Sequence, residues 1–189
     1  MSKEQIPGCI IMKYSISLWQ VAGFIFTSVL GTFLHFLFDL TGGAIAAALL
    51  SAVNESIWEH MKLLYYPMVL FAVIEYRVWG REEPRFWCIK LAGTAFGLLL
   101  IPTIYYLYTG ILGVNADWFN VTIFFIAAAA AFWLETKLFE RQGVCMLRSG
   151  GALVILLGIA AVFIFLTFYP PRIPFFQDPV TGTYGFQMK

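Results

Sequence analysis

Charged side chains are scarce in this sequence. Asp, Glu, Lys and Arg together make up 12% of the 189 residues, and hydrophobic residues make up 60%. Soluble domains carry about 25% charged residues, so the composition excludes an ordinary soluble protein and predicts an integral membrane protein whose main partner is the lipid bilayer. The net charge of +1 and the lack of a basic patch give no reason to expect nucleic acid as a partner.

Cysteine and histidine are also rare, and the common metal motifs are missing. The three cysteines, Cys9, Cys88 and Cys145, are odd in number and form no C-x-x-C pair. We therefore expect neither a disulfide framework nor a cysteine metal site. No H-E-x-x-H spacing occurs, and the first apolar stretch runs past Leu34, too long for the core of a secretory signal.

Long apolar stretches dominate what is present, and they predict an all-α integral membrane protein. Five stretches are long enough to cross a bilayer as helices, which takes about 20 residues: 18–40, 57–76, 90–112, 118–135 and 151–168. The glycines after Thr41 end the first span, and residues 44–53 are too few to cross, so we expect a re-entrant or half-helix segment there. Residues 1–168 then form one transmembrane domain, and 169–189 form a proline-rich tail.

The distribution of basic residues predicts the orientation. With five spans, nine Lys and Arg residues fall on one side of the membrane and three on the other. Because basic loops stay cytoplasmic, we expect a multi-pass protein of the inner (plasma) membrane with a cytoplasmic N-terminus and an extracytoplasmic C-terminal tail. This topology also places the three cysteines in the cytoplasm, where thiols stay reduced.

Polar residues concentrate in one stretch, residues 35–62, which contains both histidines of the chain. Polar groups are costly against a bilayer, so this stretch is the predicted functional site. The candidate ligand-binding residues are His35, Asp39, Ser51, Asn54, Glu55, Glu59, His60 and Lys62. Two aromatic residues of the tail, Phe175 and Phe176, together with Asp178, would lie on the same side and either cover the site or dock at the interface.

Two spacings within this stretch carry chemical meaning. His35 and Asp39 are four residues apart and share one helix face, so they can bind a metal or orient an imidazole. Ser56-Ile57-Trp58-Glu59 fits the capping box of a helix that begins at residue 57. If residues 44–66 were instead one continuous helix, His60 would face away from Ser51.

The predicted metal ligands are His35, Asp39, Glu55 and His60. Two histidines with one or two carboxylates suit zinc, and an open position would allow water activation. A proton or cation relay through Asp39, Glu55 and Glu59 is an alternative use of the same stretch.

The run Asn54-Glu55-Ser56-Ile57-Trp58-Glu59-His60-Met61-Lys62 resembles the signature of a family of small bacterial membrane proteins of unknown function, N-E-S-x-W-E-H-x-K. The segments HFLFDLTGG and PPRIPFFQDPVTGTYG resemble the same family, which implies a membrane topology rather than an activity. The set Ser51, Asp39, His35 and His60 is also generally similar to the zinc site of alkaline-ceramidase-type hydrolases, although this chain has two histidines and no H-x-x-x-H pair.

These observations lead to three functional hypotheses. The first is a small membrane protein that binds an ion or small polar solute near its outer face, for transport or otherwise. The second is a metal-dependent membrane hydrolase, and the third is a non-catalytic partner subunit. The sequence does not decide whether the protein is an enzyme or forms a homo-oligomer.

Overall fold

The computed structural model describes residues 7–141, 143, 145 and 147–187, with side chains from residue 16 onward except that of Asp117. Within this part of the chain every regular element is helical. The six α-helices are α1 (Pro7–Leu40), α2 (Ile45–Ala48), α3 (Ile57–Val78), α4 (Phe86–Leu112), α5 (Asp117–Glu140) and α6 (Ser149–Phe168). Short 3₁₀ turns follow at Gly80–Glu82 and Pro174–Phe176. The predicted all-α class is confirmed.

The five predicted spans correspond to α1, α3, α4, α5 and α6, with small differences at their ends. The main difference is α1, which begins at Pro7 instead of residue 18. Proline is well suited to a first helical turn because its missing N–H has no intrahelical partner there. The side chains of residues 1–15, including Cys9, lie outside the described part.

Among the described residues, four segments are long and apolar enough to cross a membrane by themselves: Ile16–Leu40, Phe86–Leu112, Trp118–Glu140 and Ser149–Phe168. Their outer faces expose large hydrophobic side chains such as Val29, Leu99 and Leu157, as lipid contact requires. The fifth long helix, α3, is more polar. It packs against α1, α4 and α6, so its polar groups face protein instead of hydrocarbon, the placement expected of ionisable groups inside a membrane.

The successive long helices from α1 through α5 run antiparallel and pack closely at small residues. On α1, Gly23 faces Phe71 and Phe132, and Gly31 faces the main chain of Leu63. On α4, Gly97 lies against the alanine-rich segment of α5, in which Ala127, Ala128 and Ala131 are fully buried. Small residues let membrane helices approach closely, so the alanine run is an interface.

The segment between α1 and α3 is folded back instead of continuing a helix. Gly42 and Gly43 have φ of 66° and 82°, left-handed values that glycine adopts without strain. The single turn α2 follows, and α3 begins only at Ile57. A continuous helix over residues 44–66 is therefore wrong, and the short half-helix segment is confirmed. Ser51 and Ala52 are buried in it.

The cysteines differ from the expectation. Cys88 at the start of α4 and Cys145 before α6 form a disulfide that joins positions 57 residues apart in sequence. The prediction of free thiols is wrong for this pair, because the α4 and α6 ends lie side by side, as the bond from Trp87 N–H to Ser149 Oγ shows. Disulfides persist in oxidising compartments, whereas the basic loops at this end predict cytoplasm. The two indicators oppose each other, so membrane orientation stays a prediction.

Candidate functional site

A cluster of His35, Glu55 and His60 lies where α1, the 41–56 segment and α3 meet. One ligand atom from each of the three residues lies within 4.8 Å of the other two. The Nε2 atom of His35 is 3.8 Å from Glu55 Oε1, and that of His60 is 3.4 Å from Glu55 Oε2. The imidazole centroids are 5.4 Å apart. We call these three residues the His/Glu cluster.

The main chain around α3 fixes the orientation of His60. Its Nδ1 atom lies 2.9 Å from the carbonyl oxygen of Ser56, the cap residue of α3. A carbonyl oxygen can only accept, so Nδ1 carries a hydrogen, and Nε2 is the ring nitrogen that faces Glu55. This is the outer hydrogen bond that typically orients a metal-binding imidazole. The Nδ1 atom of His35 is buried and has no hydrogen-bond partner among the described residues.

Glu55 is held from two sides by the loop and the tail. Its N–H donates to Asp178 Oδ2 at 3.4 Å. The neighbouring Asn54 accepts the N–H of Ser56 at 2.9 Å and donates to the carbonyl of Gly185 at 3.3 Å. The carboxylate itself is 47% exposed. The tail thus holds the main chain of Glu55 in place, while the carboxylate oxygens of Glu55 stay accessible.

Asp178 explains how the tail docks. Burial opposes ionisation of Asp178, but the N–H groups of Val180, Thr181 and Glu55 outweigh it and hold the pKa of its carboxyl below the usual range. The rings of Phe175 and Phe176 pack on Trp58. Residues 175–178 therefore lie against the first turn of α3, beside the His/Glu cluster.

Two spaces border the His/Glu cluster. A small cavity of about 30 Å³, next to Glu55, His60 and Pro179, has room for a water molecule. A groove of about 180 Å³ between α1 and α5 has both histidines on its wall. Its other lining residues are mostly apolar and include Phe36, Leu63, Val121, Phe124 and Phe125.

Five of the predicted site residues lie outside the cluster, and one of them, Asn54, is the loop residue that binds Gly185. Asp39, one turn beyond His35, is exposed and supplies no atom to the three-residue group. Ser51 is buried and donates to the carbonyl of Ala47 at 2.7 Å. The proposed ligand set is therefore His35, Glu55 and His60, without Asp39.

Glu59 and Lys62, the other two, form a buried ion pair of 2.6 Å, with 1% and 0% of their side chains exposed. Glu59 N–H donates to Ser56 Oγ, which is one half of the predicted capping box. The other half is replaced, because Ser56 N–H donates to Asn54 Oδ1 and Glu59 Oε2 accepts the N–H of Val53. Thr167 of α6 accepts from Lys62 at 2.9 Å and donates to Glu59 at 3.1 Å. Because the charged atoms of both residues bind neighbouring protein groups, we infer a structural role: the pair holds the 41–56 segment against α3 and α6.

A second polar cluster was not predicted from the sequence. Gln20, Glu75, Lys90 and Glu135 are all buried, one each on α1, α3, α4 and α5. Lys90 pairs with both carboxylates. The predicted third span begins at residue 90, so the sequence places Lys90 at a helix end and not inside the bundle. The available signal was the presence of ionisable residues inside helices that are otherwise apolar.

An all-helical bundle with apolar outer faces and polar side chains gathered inside defines a polytopic membrane protein. The chain belongs to a family of unknown function, DUF6512, whose family model matches residues 10–186. This confirms the predicted membership of a family without an assigned activity, whereas the family's motif and bacterial origin stay predictions. No curated protein and no solved structure matches the chain.

Proposed function

We propose that this membrane protein binds a divalent transition-metal ion, with zinc the best fit, through His35, Glu55 and His60. The observation that carries the proposal is the approach of three ligand atoms, from three separate segments, to within 4.8 Å of one another. Two imidazoles and one carboxylate form a ligand set that zinc accepts, with a fourth position left for water or substrate.

The spacing of the cluster supports this proposal. Ligand atoms around a tetrahedral zinc, with bonds of 2.0–2.2 Å, lie about 3.3–3.6 Å apart. The contact from His60 to Glu55 is already 3.4 Å, and that from His35 to Glu55 is 3.8 Å. Small side-chain rotations would therefore complete the site, and both imidazoles are reachable because each is about a quarter exposed.

The test is metal binding by the purified full chain in lipid nanodiscs. We expect one zinc per chain by elemental analysis after dialysis, and at least a tenfold weaker affinity in Glu55→Gln and His60→Gln. Asp39→Asn is the matched control, since it removes a carboxylate from the same stretch but outside the ligand set. A wild-type protein that retains no zinc, or a Glu55→Gln variant that binds as well as wild type, would overturn the proposal.

The groove between α1 and α5 favours metal-dependent hydrolysis as a second candidate function. Its walls are mostly apolar, and it includes the two histidines, so an alkyl chain in it would bring a polar head next to the metal. A metal-bound water could then attack an ester or amide carbonyl. Zinc-dependent hydrolysis of acyl esters or amides, lost in Glu55→Gln, would support this candidate. Zinc flux into proteoliposomes without hydrolysis would instead favour transport.

A further inference from the structure

The second polar cluster, Gln20, Glu75, Lys90 and Glu135, lies at the opposite end of the bundle from the His/Glu cluster. Glu75 is 15 residues beyond His60 on α3, which corresponds to about 22 Å along the helix. Gln20, Glu75 and Glu135 are each at most 2% exposed, as is Lys90. The two clusters are therefore separate sites joined by one helix.

The charges of this cluster do not balance. Lys90 Nζ is 2.6 Å from Glu135 Oε2 and in direct contact with Glu75 Oε2. Its ammonium also lies 5.6–5.7 Å from the ring centroids of Phe86, Phe132 and Phe139. One ammonium between two carboxylates leaves one excess negative charge. An uncompensated charge in an apolar interior is so costly that the group is neutralised instead.

The hydrogen bonds distinguish the two carboxyl groups. Glu75 receives the Lys90 ammonium at one oxygen and the Gln20 amide, at 2.9 Å, at the other. Glu135 receives Lys90 at one oxygen only. Its Oε1 atom is buried without a hydrogen-bond partner among the described residues, as are Gln20 Oε1 and Glu75 Oε2, although Glu75 Oε2 keeps its ionic contact with Lys90. A carboxylate accepting fewer donors is the less stabilised anion.

Gly93 on α4 provides the space for Glu135. A Cβ atom at this position would overlap the Glu135 side chain. The helices thus approach closely enough to pack directly around the carboxyl group.

We propose that the Gln20, Glu75, Lys90 and Glu135 cluster is a proton-binding site that holds one exchangeable proton, carried by Glu135 at neutral pH. The proton converts one carboxylate into a carboxylic acid and leaves a balanced pair of Lys90 and Glu75. A neutral hydroxyl costs far less to bury than a bare carboxylate. The cluster would take up or release this proton at the end of the bundle opposite the metal site, and it does not depend on metal binding there.

Infrared spectroscopy of the purified full chain in nanodiscs tests this directly, because a protonated carboxylic acid has a carbonyl stretch distinct from that of a carboxylate. We expect wild type at pH 7 to show this band and to lose it reversibly as the pH rises. Glu135→Gln should lack the band, and so should Glu75→Gln, because Glu135 can then ionise and pair with Lys90. The control, Glu82→Gln, removes an exposed carboxylate at the same end of the bundle and should keep the band.

Wild type provides the decisive measurement even if a variant fails to fold. Absence of the band in folded wild type at pH 7 would overturn the proposal. So would a band that persists unchanged in Glu135→Gln, which would place the proton elsewhere. A band present in sodium-free buffer but abolished at constant pH by sodium would show that a metal cation occupies the site, which also contradicts it.

Discussion

Replacing Lys62 with methionine tests the claim that the pair of Glu59 and Lys62 fastens the 41–56 segment. Methionine keeps much of the aliphatic volume but removes the ammonium. The Glu59 carboxylate, whose side chain is only 1% exposed, then loses its cation. Removing one partner of a buried ion pair typically costs about 3–5 kcal/mol. Glu59 retains the Val53 N–H and the Thr167 hydroxyl as donors, so we expect the lower end, about 3 kcal/mol.

A second pair in the chain provides a matched control. Lys137 and Glu140 have the same i,i+3 spacing, but the Lys137 side chain is 46% exposed and the contact is 3.3 Å. Exposed pairs contribute about 0–1 kcal/mol, so Lys137→Met should change stability little. The two substitutions therefore compare a buried pair, whose lysine also binds Ala48 and Thr167, with an exposed pair of the same residue types in reversed order.

The assay is chemical unfolding in detergent micelles, followed by tryptophan fluorescence. The double variant Glu59→Gln/Lys62→Met should recover part of the loss, because the amide removes the stranded charge and keeps the shape. Equal losses for Lys62→Met and Lys137→Met, each below about 1 kcal/mol, would refute the reasoning. It would mean that water reaches Glu59 despite its burial.

Three further predictions concern packing, the tail and orientation. Gly31→Ala would press a methyl group against the main chain of the facing helix and should lower the free energy of unfolding by about 1–3 kcal/mol. The control is Gly158→Ala, whose added methyl group meets nothing within 4 Å, so its stability should be unchanged or higher. The carboxyl of Asp178 has a lowered pKa in the folded protein. Its stabilising effect is therefore present above the unfolded pKa near 3.8 and is lost as the pH falls through the folded pKa. Asp178→Asn should reduce the loss of stability that wild type shows on acidification below about pH 4. In a cysteine-free background, an impermeant maleimide should label Asn115→Cys but not Glu82→Cys on intact cells if the basic loops determine orientation; the reverse pattern would place the disulfide end outside.

The sequence alone determined the class and the helices. Apolar stretches of about 20 residues can satisfy their main-chain groups in a bilayer only as helices, so composition and length were sufficient to find all five long helices. Local signals also determined two of their ends. The glycines after Thr41 stop α1, and Ser56 with Glu59 starts α3, because caps depend only on neighbouring residues.

Tertiary structure alone decided which polar residues meet. The sequence grouped Asp39, Glu59 and Lys62 with the histidines because they are close in the chain, yet the back-folded segment brings only Glu55 to both imidazoles. Lys62 instead pairs with Glu59 and contacts Thr167, 105 residues away.

The pairings at the opposite end of the bundle were also decided by tertiary structure. Glu75, Lys90 and Glu135 stand on three different helices, and Cys88 is 57 residues from Cys145. Periodicity predicts the face on which a residue lies, but the rotation and depth of each helix follow from how its side chains and glycines fit the neighbouring helices. Pairings between helices are therefore determined by packing, which no local pattern encodes.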